Sequence, residues 1–299
     1  MDNKKFLDMN GLYNFKNNLD NNFLKIPYVV GETAPTNTNV LWFDTSNLEE
    51  KYIKRTLTEY KNSSLSVIGS YAFINCYSFK SINCPMCKTI GMYAFYNCQN
   101  LKPISFPACI RIESSAFGIC RYLTSVNFPV CTEIGNNAFG GCMNLTSINF
   151  PVCTDIGSNS FERCSSLTSV NFPACTTIGS YAFSSCASLT SISFPSCTYI
   201  GNYAFSNCTS LTSVSFPSCT NIRSYAFENC ISLMTVVLGN SSIAYLTNSN
   251  AFASTPIINS TYTGKFGSIY VPASLVASYK TAANWSYFAD RITSIENLT

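Results

Sequence analysis

Residues 178–199 read Ile178-Gly179-Ser180-Tyr181-Ala182-Phe183-Ser184-Ser185-Cys186-Ala187-Ser188-Leu189-Thr190-Ser191-Ile192-Ser193-Phe194-Pro195-Ser196-Cys197-Thr198-Tyr199, and the next residues begin the phrase again as Ile200-Gly201-Asn202-Tyr203-Ala204-Phe205. Outward from this stretch, the Ile recurs at 68, 90, 112, 134, 156, 178, 200 and 222. A Phe recurs at 73, 95, 117, 139, 161, 183, 205 and 227, and every step is 22 residues. A third series runs Phe79, Leu101, Leu123, Leu145, Leu167, Leu189, Leu211 and Leu233. A fixed period of this length marks a chain that grows by stacking supersecondary units rather than by enclosing one globular core. It overrides the prior of about two ordinary domains that the 299-residue length would set.

One unit shows the logic. Ile192 and Phe194 are two apart and so share one strand face. Leu189 enters from the preceding bend, which leaves Thr190, Ser191 and Ser193 to solvent. Pro195 removes a ladder donor and ends the strand. Gly179 is expected to relieve the backbone at a corner, and Tyr181-Ala182-Phe183 to make a short helical or 3₁₀ turn that drops Phe183 inward. One coil cannot bury such a face alone, but stacked coils bury it continuously. Eight coils at the roughly 4.8 Å strand spacing give a stack on the order of 35–40 Å long.

The unit Ile-Gly-x-x-Ala-Phe-x-x-Cys-x-x-Leu-x-x-Ile/Val-x-Phe-Pro-x-Cys resembles the BspA-like class of leucine-rich repeats over residues 68–238. The resemblance implies a right-handed solenoid with a strand on one side and irregular turns on the other, in proteins that often serve surface adhesion or recognition. The 22-residue length, one short of that family's usual unit, and the second Cys of each repeat depart from its pattern. The fold expected is therefore a leucine-rich-repeat solenoid, mostly β with short helical or 3₁₀ turns: eight 22-residue coils, an N-terminal helix and β-ribbon, and a C-terminal α/β cap.

The sixteen cysteines follow the same period. Cys76, Cys98, Cys120, Cys142, Cys164, Cys186, Cys208 and Cys230 form one series; Cys87, Cys109, Cys131, Cys153, Cys175, Cys197 and Cys219 form another. Cys84 stands where its repeat would carry the strand Phe. Periodic inward positions suit a small apolar thiol, and in-register stacking rarely gives the dihedral a disulfide needs, so reduced, buried ladders are expected. Cys84-Pro85-Met86-Cys87 is a lone CxxC, without the second pair or His that a zinc site requires. No metal and no cofactor are expected.

The chain has no His, which removes His-based acid–base catalysis, Ser/His and Cys/His nucleophiles and His metal sites together. The repeat acids Glu113, Glu133, Asp155, Glu162 and Glu228 sit in different registers and form no catalytic pair. An enzyme is not expected. Charged residues are 11% of the chain and the net charge is +3, with no clustered basic face for nucleic acid. Residues 1–61 hold eight Lys/Arg and eight Asp/Glu, whereas 62–238 hold seven and five, so the repeat surface is neutral and polar. No run reaches the roughly 18–20 apolar residues of a membrane span. Met1-Asp2-Asn3-Lys4-Lys5-Phe6-Leu7-Asp8 has no apolar h-region, so synthesis in the cytoplasm without standard export is expected.

Four segments are expected: an amphipathic helix in 1–30, a β-hairpin and attachment linker in 31–60, the solenoid in 61–238 and a capping region in 239–299. Leu12, Phe15, Leu19 and Phe23 fall at i, i+3, i+7 and i+11 and form an apolar stripe. It either packs back on its own chain or serves oligomerisation and attachment. Val40-Leu41-Trp42-Phe43-Asp44-Thr45 and Lys51-Tyr52-Ile53-Lys54-Arg55-Thr56 read as two strands. Leu7-Asp8-Met9-Asn10-Gly11-Leu12 and Pro35-Thr36-Asn37-Thr38-Asn39-Val40-Leu41-Trp42-Phe43-Asp44-Thr45 resemble segments of tail-fibre and baseplate-associated proteins from phages and prophages of gut Firmicutes. That resemblance implies a virion location after cytoplasmic synthesis, with other tail proteins held through the N-terminus. The alternative is an extracellular or cell-surface adhesin. At the other end, Ile269-Tyr270-Val271-Pro272 reads as a closing strand, Ala273 to Lys280 as a helix with Ser274 near its N-cap, and Trp285 and Phe288 as a plug. The run from Tyr270 to Ser286 resembles the tail that follows such repeats in many gut bacterial proteins.

Two surface rows are candidates for binding. One is the strand row Thr124, Thr146, Thr168, Thr190 and Thr212, beside Ser125, Ser147, Ser169, Ser191 and Ser213, with Asn127, Asn149 and Asn171 next to it. It is either a solvated sheet or a flat, neutral hydrogen-bonding face suited to glycan hydroxyls. The other is Tyr71, Tyr93, Tyr181, Tyr203 and Tyr225, replaced in the middle coils by Ser115, Asn137 and Asn159. These rings either cover the core edge or form aromatic patches for a sugar ring or a protein partner. The function expected is a recognition scaffold, homo-oligomeric, for a cell-surface glycan or protein.

Overall fold

A computed structural model describes the backbone of 40–41 and residues 57–258 and 266–298. The described residues form a parallel β-solenoid of about ten turns. Each coil of the repeat carries two short strands. The first is the expected one, Ser191–Ser193 in the coil quoted above, with Ile192 buried between two exposed serines. It stacks in strict register on its neighbours: Ser147 on Ser169, Ile148 on Val170, Asn149 on Asn171. The second strand was not expected. Thr177–Ile178 and its equivalents form a ten-stranded sheet from Val40–Leu41 to Tyr245–Leu246, on what the resemblance implied to be the irregular side. Only one of its two residues is buried, so the sequence showed it as a lone recurrent Ile.

Between the rows the chain turns twice around a core of inward side chains. The Phe183 series is fully buried and its rings stack face to face at 5.0–5.4 Å from Phe73 to Phe252. The strand Phe series, from Phe106 to Phe216, makes a second stack that meets the first edge-on or tilted. All sixteen thiols are free and buried. Each series has its own acceptor. Cys186 Sγ donates to Phe161 O at 3.2 Å, in the coil before, while Cys197 Sγ donates to Tyr199 O at 3.3 Å, two residues on.

The Tyr-Ala-Phe segment is a run of turns rather than the short helical or 3₁₀ turn expected. Ala182 N donates to Gly179 O and Ser184 N to Tyr181 O, but Tyr181 and Ser185 both lie in the left-handed region, at φ 58° and 61°. The intervening amides point to the next coil instead: Tyr181 N bonds Asn202 O and Phe183 N bonds Ala204 O. Gly179 is needed for a different reason from the one anticipated. A Cβ there would lie 2.6 Å from Ser158 N, so the glycine permits close approach of adjacent coils.

The C-terminal stretch leaves the 22-residue period but keeps the ladder. Tyr245–Leu246 pairs with Asn221–Ile222, and Phe252 stacks on Phe227, so a lengthened coil follows the last regular one. Ser268–Val271 then pairs with Thr235–Val237, and Ile292–Ser294 with Ser268–Val271. Trp285 and Phe288 are buried against Phe252, and Trp285 Nε1 donates to Ala244 O at 2.7 Å, which makes them the plug. Ser274 caps nothing: Ala273–Leu275 is a 3₁₀ turn, followed by the helix Val276–Thr281, and neither start has a side-chain cap bond.

Candidate functional site

The strand row is exposed as expected at Thr124, Thr146, Thr168, Thr190 and Thr212, and at Asn127, Asn149 and Asn171. Its chemistry is narrower than the sequence conveyed. Thr146 Oγ1 donates to Thr124 O at 3.0 Å, Thr168 Oγ1 to Thr146 O at 3.1 Å and Thr212 Oγ1 to Thr190 O at 2.9 Å. Those hydroxyl protons are used within the ladder, so these threonines offer an outside molecule acceptor lone pairs only. Asn171 Nδ2 donates to Asn149 Oδ1 at 2.8 Å, and Asn127 Nδ2 to Ser105 Oγ at 3.2 Å. Ser147, Ser169 and Ser191 are exposed hydroxyls that remain able to donate. A second threonine row was missed: Thr154, Thr176, Thr198 and Thr220 each donate to the carbonyl of the threonine one coil before.

The strand row is also divided. One run ends at Ser169–Asn171 and the next begins at Ser191–Ser193. At that step the Phe172–Phe194 ring separation is 5.9 Å, against 5.4 Å for Phe150–Phe172.

The tyrosine row makes two separate stacks. Tyr181–Tyr203 and Tyr203–Tyr225 lie 4.7 and 4.8 Å apart with planes within 6° and 5° of parallel, and Tyr71–Tyr93 lies at 5.4 Å. All five tyrosines have positive φ. The Tyr203 phenol is pushed above its ordinary range, by desolvation first and then by Tyr181 and Tyr225 on either side. Tyr96, which the sequence reading passed over, stands edge-on to Tyr93 at 5.3 Å. Two ion pairs lie on the repeat surface, Arg111 with Glu133 at 3.0 Å and Arg163 with Glu162 at 3.5 Å. Leu12, Phe15, Leu19 and Phe23 lie outside the described residues, as does most of the proposed ribbon.

Every thiol for which a shift is resolved is moved upward, and burial is the first cause throughout. Cys87 is raised to about 11, and Cys84, Cys142, Cys153 and Cys197 to about 12. Such thiols stay protonated near neutrality and are poor nucleophiles and poor ligands. Among the described residues no helix is long and apolar enough to cross a membrane.

Stacked short coils, interior rings and thiols, and an outer surface of hydroxyls and amides define a repeat scaffold with ladders of polar groups on its outside. The model of the BspA type leucine-rich repeat region matches residues 43–168 and 154–273 in six copies, and the chain belongs to that family. Leucine-rich-repeat solenoids of this kind are generally surface or recognition scaffolds rather than enzymes. Solved structures similar to it include a leucine rich repeat protein of T. pallidum (27% identity, 55% of this chain and 86% of that one, TM-score 0.47). A leucine rich cell surface protein of Faecalibacterium prausnitzii (24%, 80% and 79%, 0.38) and a leucine-rich repeat protein of Bacteroides ovatus (21%, 81% and 84%, 0.40) are also similar. No curated protein matches the chain.

Proposed function

We propose that the protein is a non-enzymatic recognition scaffold that binds a neutral, polyhydroxylated ligand, a cell-surface glycan, through its outer ladders. The carrying observation is the repeated exposed surface of Ser, Thr and Asn in strict register, with few charges, on coils that also carry tyrosine stacks. A lattice of acceptors and donors at a constant coil spacing matches a repeating hydroxylated chain better than it matches one small substrate. Binding of this kind draws little on ion pairing and should hold its affinity between low and high salt, where a charge-driven interaction weakens. Full-length protein applied to immobilised neutral and acidic polysaccharides at two salt concentrations tests this. Retention on acidic polymers alone, lost at high salt, would overturn it.

The finer reading places the scaffold on a phage or prophage tail. Residues 1–60 attach it to other tail proteins and to further copies of itself, 61–238 make the recognition stack, and 239–299 form its cap. The resemblance of Leu7–Leu12 and Pro35–Thr45 to tail-fibre segments supports it. The second reading, a bacterial cell-surface adhesin, is favoured by the family itself and by the likeness to a protein described as a cell surface protein. Mass spectrometry of purified particles from induced cells, against the cell-envelope fraction of the same culture, separates the two.

A further inference from the structure

The two tyrosine stacks leave a gap. At the register of Tyr93 and Tyr181 the three intervening coils carry Ser115, Asn137 and Asn159. Four coil steps separate the bounding rings, roughly 19 Å at the usual ladder spacing of about 4.8 Å. At one end Tyr93 is backed by Tyr71 and braced edge-on by Tyr96, whose ring leans over Gly118 so closely that a Cβ there would fall 2.8 Å from Tyr96 Cδ2. At the other end Tyr181 stacks on Tyr203 with one face; its other face looks toward Asn159, and the side chain is 37% exposed.

The floor between them is low, and polar apart from the half-buried Ile119. Gly140 and Gly141 stand where other coils have side chains such as Tyr96, Asn97, Glu162 and Arg163. Asn137 is exposed, with no hydrogen bond from its amide group to the protein. Beyond it, Glu162 accepts from Asn159 Nδ2 at 2.9 Å and is paired with Arg163, so the far rim offers polar groups with their charges already balanced.

We propose that this gap is the ligand site of the scaffold and takes a linear neutral oligosaccharide several sugars long. The inference rests on the glycan reading above and deepens it. Apolar CH faces of the terminal sugars would lie on Tyr181 at one end and on the Tyr93–Tyr96 corner at the other. Hydroxyls between them would meet Asn137, Asn159 and the Glu162 carboxylate, and the glycines allow the chain close to the backbone. Within each stack the ring faces between neighbours are covered, so the rings that bound the gap supply the faces that look into it. Peptide and protein partners offer no comparable alternation of short apolar faces and dense hydroxyls.

The design of the fold supplies a clean test. Tyrosine occupies this left-handed register in five coils, so Asn159→Tyr can extend the stack over the open face of Tyr181 and still fold, which thermal melting verifies. The full chain is applied to an array of linear neutral oligosaccharides of increasing length, with sialylated and sulfated glycans and proline-rich peptides as comparison. The expected result is binding that begins above a minimum sugar length and falls tenfold or more in Asn159→Tyr and in Tyr181→Ser, but is unchanged in Tyr287→Ser, at an exposed ring on the cap outside both rows. Oligosaccharide binding lost in Ser169→Arg and kept in Asn159→Tyr would overturn the gap as the site and leave the glycan reading standing on the strand row. Binding to the peptides alone, or to no probe, would overturn both.

Discussion

Most coils hold two residues in the left-handed region, four apart, and residue identity there sets a local cost. Asn and Gly accept that conformation; a β-branched side chain does not. Ile119 sits at φ 60°, where other coils carry Asn75, Asn97, Asn207 or Gly141. Ile119→Asn is therefore expected to raise stability by about 1 kcal/mol, read as a higher denaturant midpoint at unchanged slope. A loss would mean that packing of the half-buried Ile outweighs its backbone strain. The thiols give a second expectation at this scale. Cys84, Cys142, Cys153 and Cys197 move from an ordinary 9.0 to about 12 on folding. Between those values the unfolded chain sheds protons that the native chain keeps, so stability is full below pH 9 and declines as pH rises toward 12. Each such thiol contributes a slope of about 1.4 kcal/mol per pH unit, and the sum should make alkaline unfolding steep. Urea melts at about pH 8 and about pH 10.5 check it; equal midpoints would show that the thiols reach solvent.

At the scale of the element, the coil is held by its inward rows. Phe172→Ala or Phe183→Ala, each in a central coil, should cost about 3–5 kcal/mol, while Ser191→Ala should stay within roughly 0.5 kcal/mol. Equal effects in denaturant melts would contradict the inward and outward assignment. The first strand row and its two faces were legible because Ile192 and Phe194 alternate with polar residues. The second row was not, since a two-residue strand such as Thr177–Ile178 buries one side chain and leaves no alternation to read. The lengthened coil at Tyr245–Leu246 escaped for a related reason: its steps of 24 and 25 residues fall out of a search at 22. Of the candidate site, the rows of Thr, Asn and Tyr were visible as columns in the repeat. Whether a threonine hydroxyl is free or bound to the coil before it depends on a register between residues 22 apart, and that only the stacked chain fixes.

Across the whole molecule each coil bonds only to its neighbours, so stability is close to a sum over interfaces and the ends decide whether the stack is closed. The C-terminal end is covered by Trp285 and Phe288, and Trp285→Ala should fray the last coils first, visible as faster amide exchange around Phe252 than around Phe139. At the N-terminal end the ladder already includes Val40–Leu41, paired with Val67–Ile68. Removing residues 1–39 should therefore leave a folded solenoid, and one that has lost self-association if the stripe of Leu12, Phe15, Leu19 and Phe23 serves attachment. Light scattering of the full and shortened chains decides it; identical masses would remove the support for an attachment role. The constant coil step also has a genetic reading. Neighbouring coils such as 178–199 and 200–221 repeat most of one phrase, and unequal recombination between such repeats would insert or delete one whole coil while leaving every remaining pair in register. A coil gained between Ser115 and Asn159 would move Tyr93 and Tyr181 apart by one increment of about 4.8 Å without altering either rim. The length of sugar chain accepted would then be inherited as a copy number, a ruler that a lineage can lengthen or shorten without inventing a new contact.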